Sequence, residues 1–260
     1  MGPMKAVAWC VAVAVCCAQG VQAQGKGEAP VEIHDRIAPG APLHPQVALT
    51  LDACSGKFDE DLVDFLVQHR IPATLFATKR WLQANPQGVA RIRAHLDLFD
   101  VEDHGENHIP AVIGAGKTVY GIPGEPDVLH LRREVLEGAR AITEYIGVAP
   151  HWYRGATAEY DAQAVQEIRQ MGFGIAGFSV NGDAGATLKK PAIVQRLDAV
   201  RGGDIIIAHM NKPASDSAEG LAVGLQHLLQ KGFEFVRFDQ IALEELPPLA
   251  PPAHRKERKP

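Results

Sequence analysis

Asp204-Ile205-Ile206-Ile207-Ala208-His209 is a short, almost wholly apolar run rich in β-branched residues, and it stops on an ionisable side chain. Such a run reads as a strand buried on both faces, the kind that parallel sheets place between helices. Four other segments repeat the pattern. Val47-Ala48-Leu49-Thr50-Leu51-Asp52 delivers a carboxylate and is followed by the turn Ala53-Cys54-Ser55-Gly56. Leu96 to Val101 leads into Asp103-His104-Gly105-Glu106-Asn107-His108, Trp152-Tyr153 ends on Arg154, and Gly177 to Val180 ends on Asn181-Gly182-Asp183. Five strand ends that carry polar or ionisable groups describe how an α/β barrel assembles an active site.

The segments between them are helical. Asp59 to Arg70 sets Leu62, Phe65, Leu66 and His69 on one face, and Ile71 to Ala77 follows as a strand. Lys79 to His95 is expected to be helical with a break near Asn85-Pro86. Helices are also expected over Val128–Ile146, Asp161–Met171, Pro191–Val200 and Glu219–Lys231, the last two feeding strands at Ile205 and Phe233. This alternation predicts an α/β fold with a parallel sheet. The Gly/Pro-rich stretch Gly114–Asp127 reads as a loop forming a wall of a cleft near the histidine pair. Its Gly114-Ala115-Gly116-Lys117-Thr118 echoes a phosphate-binding loop, but the first glycine that such a loop requires ahead of Gly116-Lys117 is missing, which removes that reading.

His104 and His108, four residues apart, can point the same way on one turn or tight loop and grip one divalent metal. The bland alternative is chance, since the chain has 11 histidines. The order of the surrounding pieces decides between them. It resembles that of the polysaccharide deacetylases of carbohydrate esterase family 4, the NodB-homology domain, over about Pro45 to Leu243. Leu49-Thr50-Leu51-Asp52 is similar to the family's first motif (Thr-Phe-Asp-Asp) and the HGENH run to its second (His-Ser/Thr-x-x-His). Arg154 matches the third, Asn181 to Asp183 sits where the fourth belongs, and Ile207-Ala208-His209 is similar to the fifth, Leu-x-His. The resemblance implies a distorted, incomplete (β/α) barrel over residues 45–245, and a divergent member of the family.

It also implies the roles. His104 and His108 would hold one divalent metal, zinc first; Asp52 would act as general base, His209 as general acid, Arg154 would pair with Asp52, and Asp183 or Asn181 would orient His209. The departures matter as much. Ala53 replaces the family's second aspartate, usually a metal ligand, so the third ligand is either Asp52, the favoured reading, or Cys54, which shares a strand face with Asp52 if the strand continues. Gly105 replaces a hydroxyl residue and Gly155-Ala156 replaces prolines. No tryptophan follows Asp183. Trp152 and Tyr153 are read as a sugar-stacking surface, with the core as their alternative.

Composition agrees with a single secreted domain. The chain has 260 residues, 46% of them hydrophobic, enough for one large core. Residues 1–23, with Lys5, the apolar run Ala6–Ala18 and Val21-Gln22-Ala23, read as a secretory signal peptide; the apolar run is too short to span a membrane. Three of the four cysteines lie there, which leaves Cys54 without a disulfide partner in the mature chain. A formal charge of −5 argues against nucleic-acid binding. Residues 24–44 read as a linker or N-terminal arm and 246–260 as a Pro-rich basic tail. The expected function is a secreted or periplasmic metal-dependent hydrolase that removes acetyl groups, N-acetyl before O-acetyl, from an acetylated glycan such as peptidoglycan or a chitin-like polymer. The alternative is a glycan-binding protein on the same scaffold, weakened in metal binding by the loss of the aspartate. A cytosolic amidase of the allantoinase-like branch is disfavoured by the leader.

Overall fold

The alternation of side chains along Gln46–Ala53 (β1) sets the architecture. Val47, Leu49, Leu51 and Ala53 belong to the main apolar core, which they share with residues of the surrounding helices, while Ala48, Thr50 and Asp52 lie on the opposite face. In the computed structural model, which describes residues 2, 29–40, 42 and 44–246, eight strands form one sheet. They are β1, β2 (Ala73–Ala77), β3 (Phe99–Asp103), β4 (Trp152–Tyr153), β5 (Gly174–Ile175), β6 (Val180–Asn181), β7 (Ile205–His209) and β8 (Glu234–Val236). Their order is β5-β4-β3-β2-β1-β7-β6, all pairings parallel, with β8 joined to the first residues of β1 on the edge that β2 takes further along. The leader expected over residues 1–23, apart from residue 2, and the tail after residue 246 lie outside the described residues.

Seven helices fill the crossovers among the described residues: α1 (Glu60–Gln68), α2 (Lys79–Ala84), α3 (Pro86–Arg93), α4 (Val128–Ile146), α5 (Ala162–Gln170), α6 (Lys190–Asp198) and α7 (Ser217–Gln230). Local chemistry fixes their ends. The Asp59, Asp127 and Asp161 carboxylates and the Thr78 hydroxyl accept first-turn amides of α1, α4, α5 and α2. Pro86 starts α3 where the chain cannot extend α2, as the sequence predicts. Trp81, Leu62, Leu66, Leu221 and Leu225 are fully or almost fully buried between helices and sheet. Each such side chain stabilises the fold by about 1.5–3 kcal/mol.

The sheet curls into a distorted, incomplete (β/α) barrel, because β5 and β6 do not pair with each other. Residues 31–37, read in the sequence as linker or wrapping arm, wrap over this gap as two short strands. Val31–Glu32 pairs with Ala156–Tyr160, and His34–Ile37 pairs with Leu243–Leu246. Asp35 receives the amide of Gly177 at 2.7 Å and donates its own amide to Phe178 O at 3.2 Å, so the arm satisfies backbone groups beside the open edge. On the inner face of the sheet Phe238 stacks edge-on against Phe76 and Trp152. No helix among the described residues is long and apolar enough to cross a membrane.

Candidate active site

Every chemically active side chain lies at the carboxyl end of a parallel strand, where such barrels open. Asp52 is one residue from the end of β1 and Cys54 follows it; His104 follows β3, Arg154 follows β4, Asp183 lies two residues past β6, and His209 ends β7. The β1–β7 register sets His209 directly opposite Asp52. Asp52, Cys54, His108 and His209, with Tyr120 and Phe178, line a cavity of about 470 Å³.

The donor atoms of Cys54, His104 and His108 all lie within 4.8 Å of one another, with Cys54 Sγ 3.4 Å from His104 Nε2. The His104 ring is buried, and its Nδ1 lies 2.6 Å from the carbonyl oxygen of Arg154. A carbonyl can only accept, so Nδ1 carries a proton and Nε2 is the nitrogen turned toward the cluster. Burial disfavours a charged His104, but the neighbouring Asp52 and Cys54 outweigh it and lift its pKa to about 9. Burial likewise raises the Cys54 thiol, and the surrounding imidazoles of His104, His108 and His209 overcome it, so its pKa falls well below the usual value.

Asp52 stands beside this set. Its Oδ1 receives Arg154 Nη1 at 2.9 Å and its Oδ2 lies 3.8 Å from His104 Nε2. Of the two readings of the third ligand, Cys54 is the one whose donor atom clusters with those of His104 and His108, while Asp52 has one oxygen bonded to the arginine. Ala53 belongs to the apolar core instead, as strand alternation demands.

Arg154 is completely buried. It donates to Thr50 Oγ1 and to the carbonyls of Ala176 and Gly177 as well as to Asp52, and lies 4.1 Å above the Phe76 ring. Burial alone would raise the Asp52 pKa; Arg154, His104 and His209 reverse this and keep the carboxylate ionised. On the other wall, Asp183 Oδ1 lies 2.9 Å from His209 Nδ1, and Asp183 Oδ2 receives the His209 amide at 2.9 Å and the Ser217 hydroxyl at 2.8 Å. The carboxylate is fully buried, and its bond to His209 lowers its pKa against burial. In return, Asp183 raises the His209 pKa well above that of a free imidazole, although burial opposes it.

The family model for polysaccharide deacetylases matches residues 40–176. The chain belongs to that family. A relative from Bacillus subtilis (strain 168), the uncharacterized protein YlxY, is 22% identical over 200 residues, covering 76% of this chain. The chain matches about 57% of that relative's length. Among solved structures, the Bc1960 peptidoglycan N-acetylglucosamine deacetylase superposes with a TM-score of 0.64 at 20% identity, covering 78% of this chain and 90% of that one. PdaA of Bacillus subtilis, a family 4 carbohydrate esterase, gives 0.63 at 18% identity over 78% and 82%. A family 4 pseudoenzyme from Bacillus anthracis gives 0.62 at 20% identity over 82% and 69%, and a mutant of it with restored enzymatic activity has the same fold.

Against the family pattern, the structure brings Asp52, Cys54, His104, His108, Arg154, Asp183 and His209 to one place and leaves Trp152 and Tyr153 out. Tyr153 is fully buried in one apolar cluster and Trp152 packs against Phe238 in another on the opposite face of the strand, so neither lines the cavity. Asn181 lines the cavity, but its Oδ1 receives the Ala184 amide and does not orient His209. Two contributors escape the sequence reading. Tyr120, 76% exposed, projects from the turn of the hairpin Thr118–Pro123 at the cavity wall. Its signal was the Gly-rich loop that contains it. Ser217, the first residue of α7, carries no local signal because its partner Asp183 lies 34 residues away.

The family implies a divalent metal, and the donors present suit one. A thiol held toward the thiolate by three imidazoles, a carboxylate and two histidines form a cluster that a cation compensates, and thiolate sulfur and imidazole nitrogen are both zinc ligands, three of which suffice at a catalytic site. The proton held on His104 Nδ1 leaves Nε2 as the nitrogen that would ligate a metal.

Proposed function

We propose that this protein is a metal-dependent hydrolase that removes acetyl groups, N-acetyl first, from a cell-wall or extracellular polysaccharide. Cys54, His104 and His108 hold the metal, zinc by preference for a thiolate and two imidazoles. A zinc ion there would polarise the acetyl carbonyl and bring the pKa of a water from 15.7 to roughly 7. Asp52, anchored through Oδ1, has Oδ2 left to take the proton of the attacking water. His209, held through Nδ1 by Asp183, presents Nε2 to protonate the departing amine. Tyr120 gives a sugar ring an aromatic face at the cavity wall. The signal-like segment over residues 1–23 supports a secreted or periplasmic location, where such polymers lie.

One observation carries the reading: a three-donor set, an ionised carboxylate and a carboxylate-held imidazole meet in one cleft. The replacement of the family's second aspartate by Ala53 favours a second reading, a glycan-binding protein that retains the cleft without turnover. Zinc content of the purified protein, together with acetate release from an acetylated chito-oligosaccharide, separates the two. One zinc per chain, with acetate release abolished by a chelator and restored by zinc, is expected. Oligosaccharide binding without acetate release selects the second reading.

A further inference from the structure

The loop that carries the two histidines holds two residues in the left-handed region. His108 has φ of +64°, in the left-handed region, and Gly105 has φ of +88°. For a residue with a side chain this conformation costs on the order of 1–3 kcal/mol and persists only when its surroundings impose it. The main chain of the loop also turns amides inward. Those of Asn107 and Ile109 donate to Glu134 Oε1 at 2.8 and 3.2 Å, the Asn107 side-chain amide reaches Glu134 Oε2 at 3.4 Å, and the amide of Glu106 donates to Glu134 O at 2.9 Å. Glu134 lies on α4, outside the loop, and is buried.

We propose that Glu134 is a positioning residue that imposes the metal-presenting form of the His104–His108 loop, and that Gly105 is small in order to admit it. The inference rests on the metal-dependent reading above. A Cβ at Gly105 would lie 2.5 Å from Glu134 Oε1 and 3.1 Å from its Cδ, so a side chain there expels the carboxylate. One helical turn along, a Cβ at Gly138 would lie 2.8 Å from Gly105 Cα and 2.1 Å from Asp103 Oδ1. Glu134 and Gly138, four residues apart, thus form one face of α4 that touches the loop directly. Asp103 closes the loop's start by accepting the Gly105 amide at 2.8 Å. An acceptor that gathers successive inward amides is what fixes a turn of this kind. Glu134 bonds the backbone on either side of His108 and acts through it.

The test measures zinc affinity by competition with a chromophoric chelator in the full chain, beside the thermal midpoint of the zinc-free protein. Glu134→Ala should weaken zinc binding by about 10- to 100-fold, the usual size for a group that orients a ligand. Glu134→Gln keeps an amide oxygen toward Asn107 and Ile109 and should stay within about threefold of the parent, a rescue that loss of mere bulk would not predict. The cobalt(II)-substituted Ala variant should show an altered visible spectrum, and the Gln variant the parent's. If Glu134→Ala does not fold, Gly105→Ala, which displaces the carboxylate without removing it, should show the same weakening. Zinc affinity in Glu134→Ala or Gly105→Ala within threefold of the parent overturns the proposal. A parent that binds no zinc overturns instead the metal-dependent reading on which it rests.

Discussion

Cys54→Ser is the most informative single change, because it removes one donor from the cluster and leaves the rest of the site standing. Structural zinc sites with four protein ligands bind with roughly 10–16 kcal/mol, so one ligand corresponds to about 2.5–4 kcal/mol, or a 10²- to 10³-fold weaker Kd. The serine hydroxyl recovers little, being a neutral group that does not ionise at neutral pH. Asp52 recovers little either, since Oδ1 is held by Arg154 at 2.9 Å and moving the carboxylate would strand a fully buried guanidinium. Nor should Ala53→Asp on the Cys54→Ser background restore binding, although it rebuilds the family's first motif. Ala53 is 1% exposed in the apolar core, and a carboxylate there lowers the melting temperature without reaching the histidines. Chelator competition gives the Kd, and in the cobalt(II) form the thiolate-to-metal absorption band should disappear. A Kd for Cys54→Ser within threefold of the parent, or its rescue by Ala53→Asp, would refute the assignment and return the third position to the carboxylate side of the site.

His209→Ala should lower acetate release by roughly 10²-fold or more while zinc affinity holds, and Asp183→Asn should do the same to a lesser degree, because all three of its partners are donors and an amide cannot accept from each. A turnover within a few-fold of the parent in His209→Ala rejects its role. Tyr120→Ala should raise KM by up to about tenfold with kcat nearly unchanged, since ring stacking contributes about 0.5–1.5 kcal/mol and the residue is far out on the hairpin; an equal loss in kcat would place it elsewhere in the mechanism. Asp100→Asn should stabilise the protein at pH 7–8 and not near pH 3.5. Burial, with Asp239 nearby, pushes the Asp100 carboxyl from 3.8 up to about 6, so the folded state holds its proton longer than the unfolded state does. The resulting penalty is absent below about 3.8, grows between there and 6, and is complete above it, at most about 3 kcal/mol at 1.36 kcal/mol per pH unit. Equal stability gains at both pH values in urea titrations would contradict this.

Much of this site is legible along the chain because each of its parts is local. Strand-like runs ending on Asp52, His104, Arg154 and His209 announce themselves by composition, α4 begins and ends where its periodicity and Gly147 place it, and Pro86 breaks the helix pair where a missing amide must. What stays hidden depends on partners far away in sequence. Whether the chain keeps its extended course past Asp52 is decided by Thr78 and Arg80, whose side chains hold the Cys54 carbonyl at 2.6 and 3.1 Å. The two-residue strand Trp152–Tyr153 is too short to show alternation, so its burial on both faces is visible only once Phe238 packs against it. The arm over 31–37 becomes strand only by pairing with residues more than 120 positions away.

Two departures from the family pattern then belong to one rearrangement of the site. A strand alternates faces every residue, so a ligand cannot move from position 53 to a neighbouring position and keep its old face; it must arrive on the side where Asp52 already points. Cys54 is on that side, and Ala53 is free to become core. The same logic governs the second motif. Glycine at 105 leaves the space that the carboxylate of Glu134 occupies, from which it reaches the amides of Asn107 and Ile109. With Cys54 as the donor proposed above, a soft sulfur stands in place of a hard oxygen, which suits zinc better than magnesium, calcium or manganese. Gly105 and Glu134 together place support of the loop on a helix. Restoring either family residue singly, Asp at 53 or a hydroxyl at 105, therefore meets a neighbour that has already adjusted, and each is expected to harm the site that the family motif would be thought to repair.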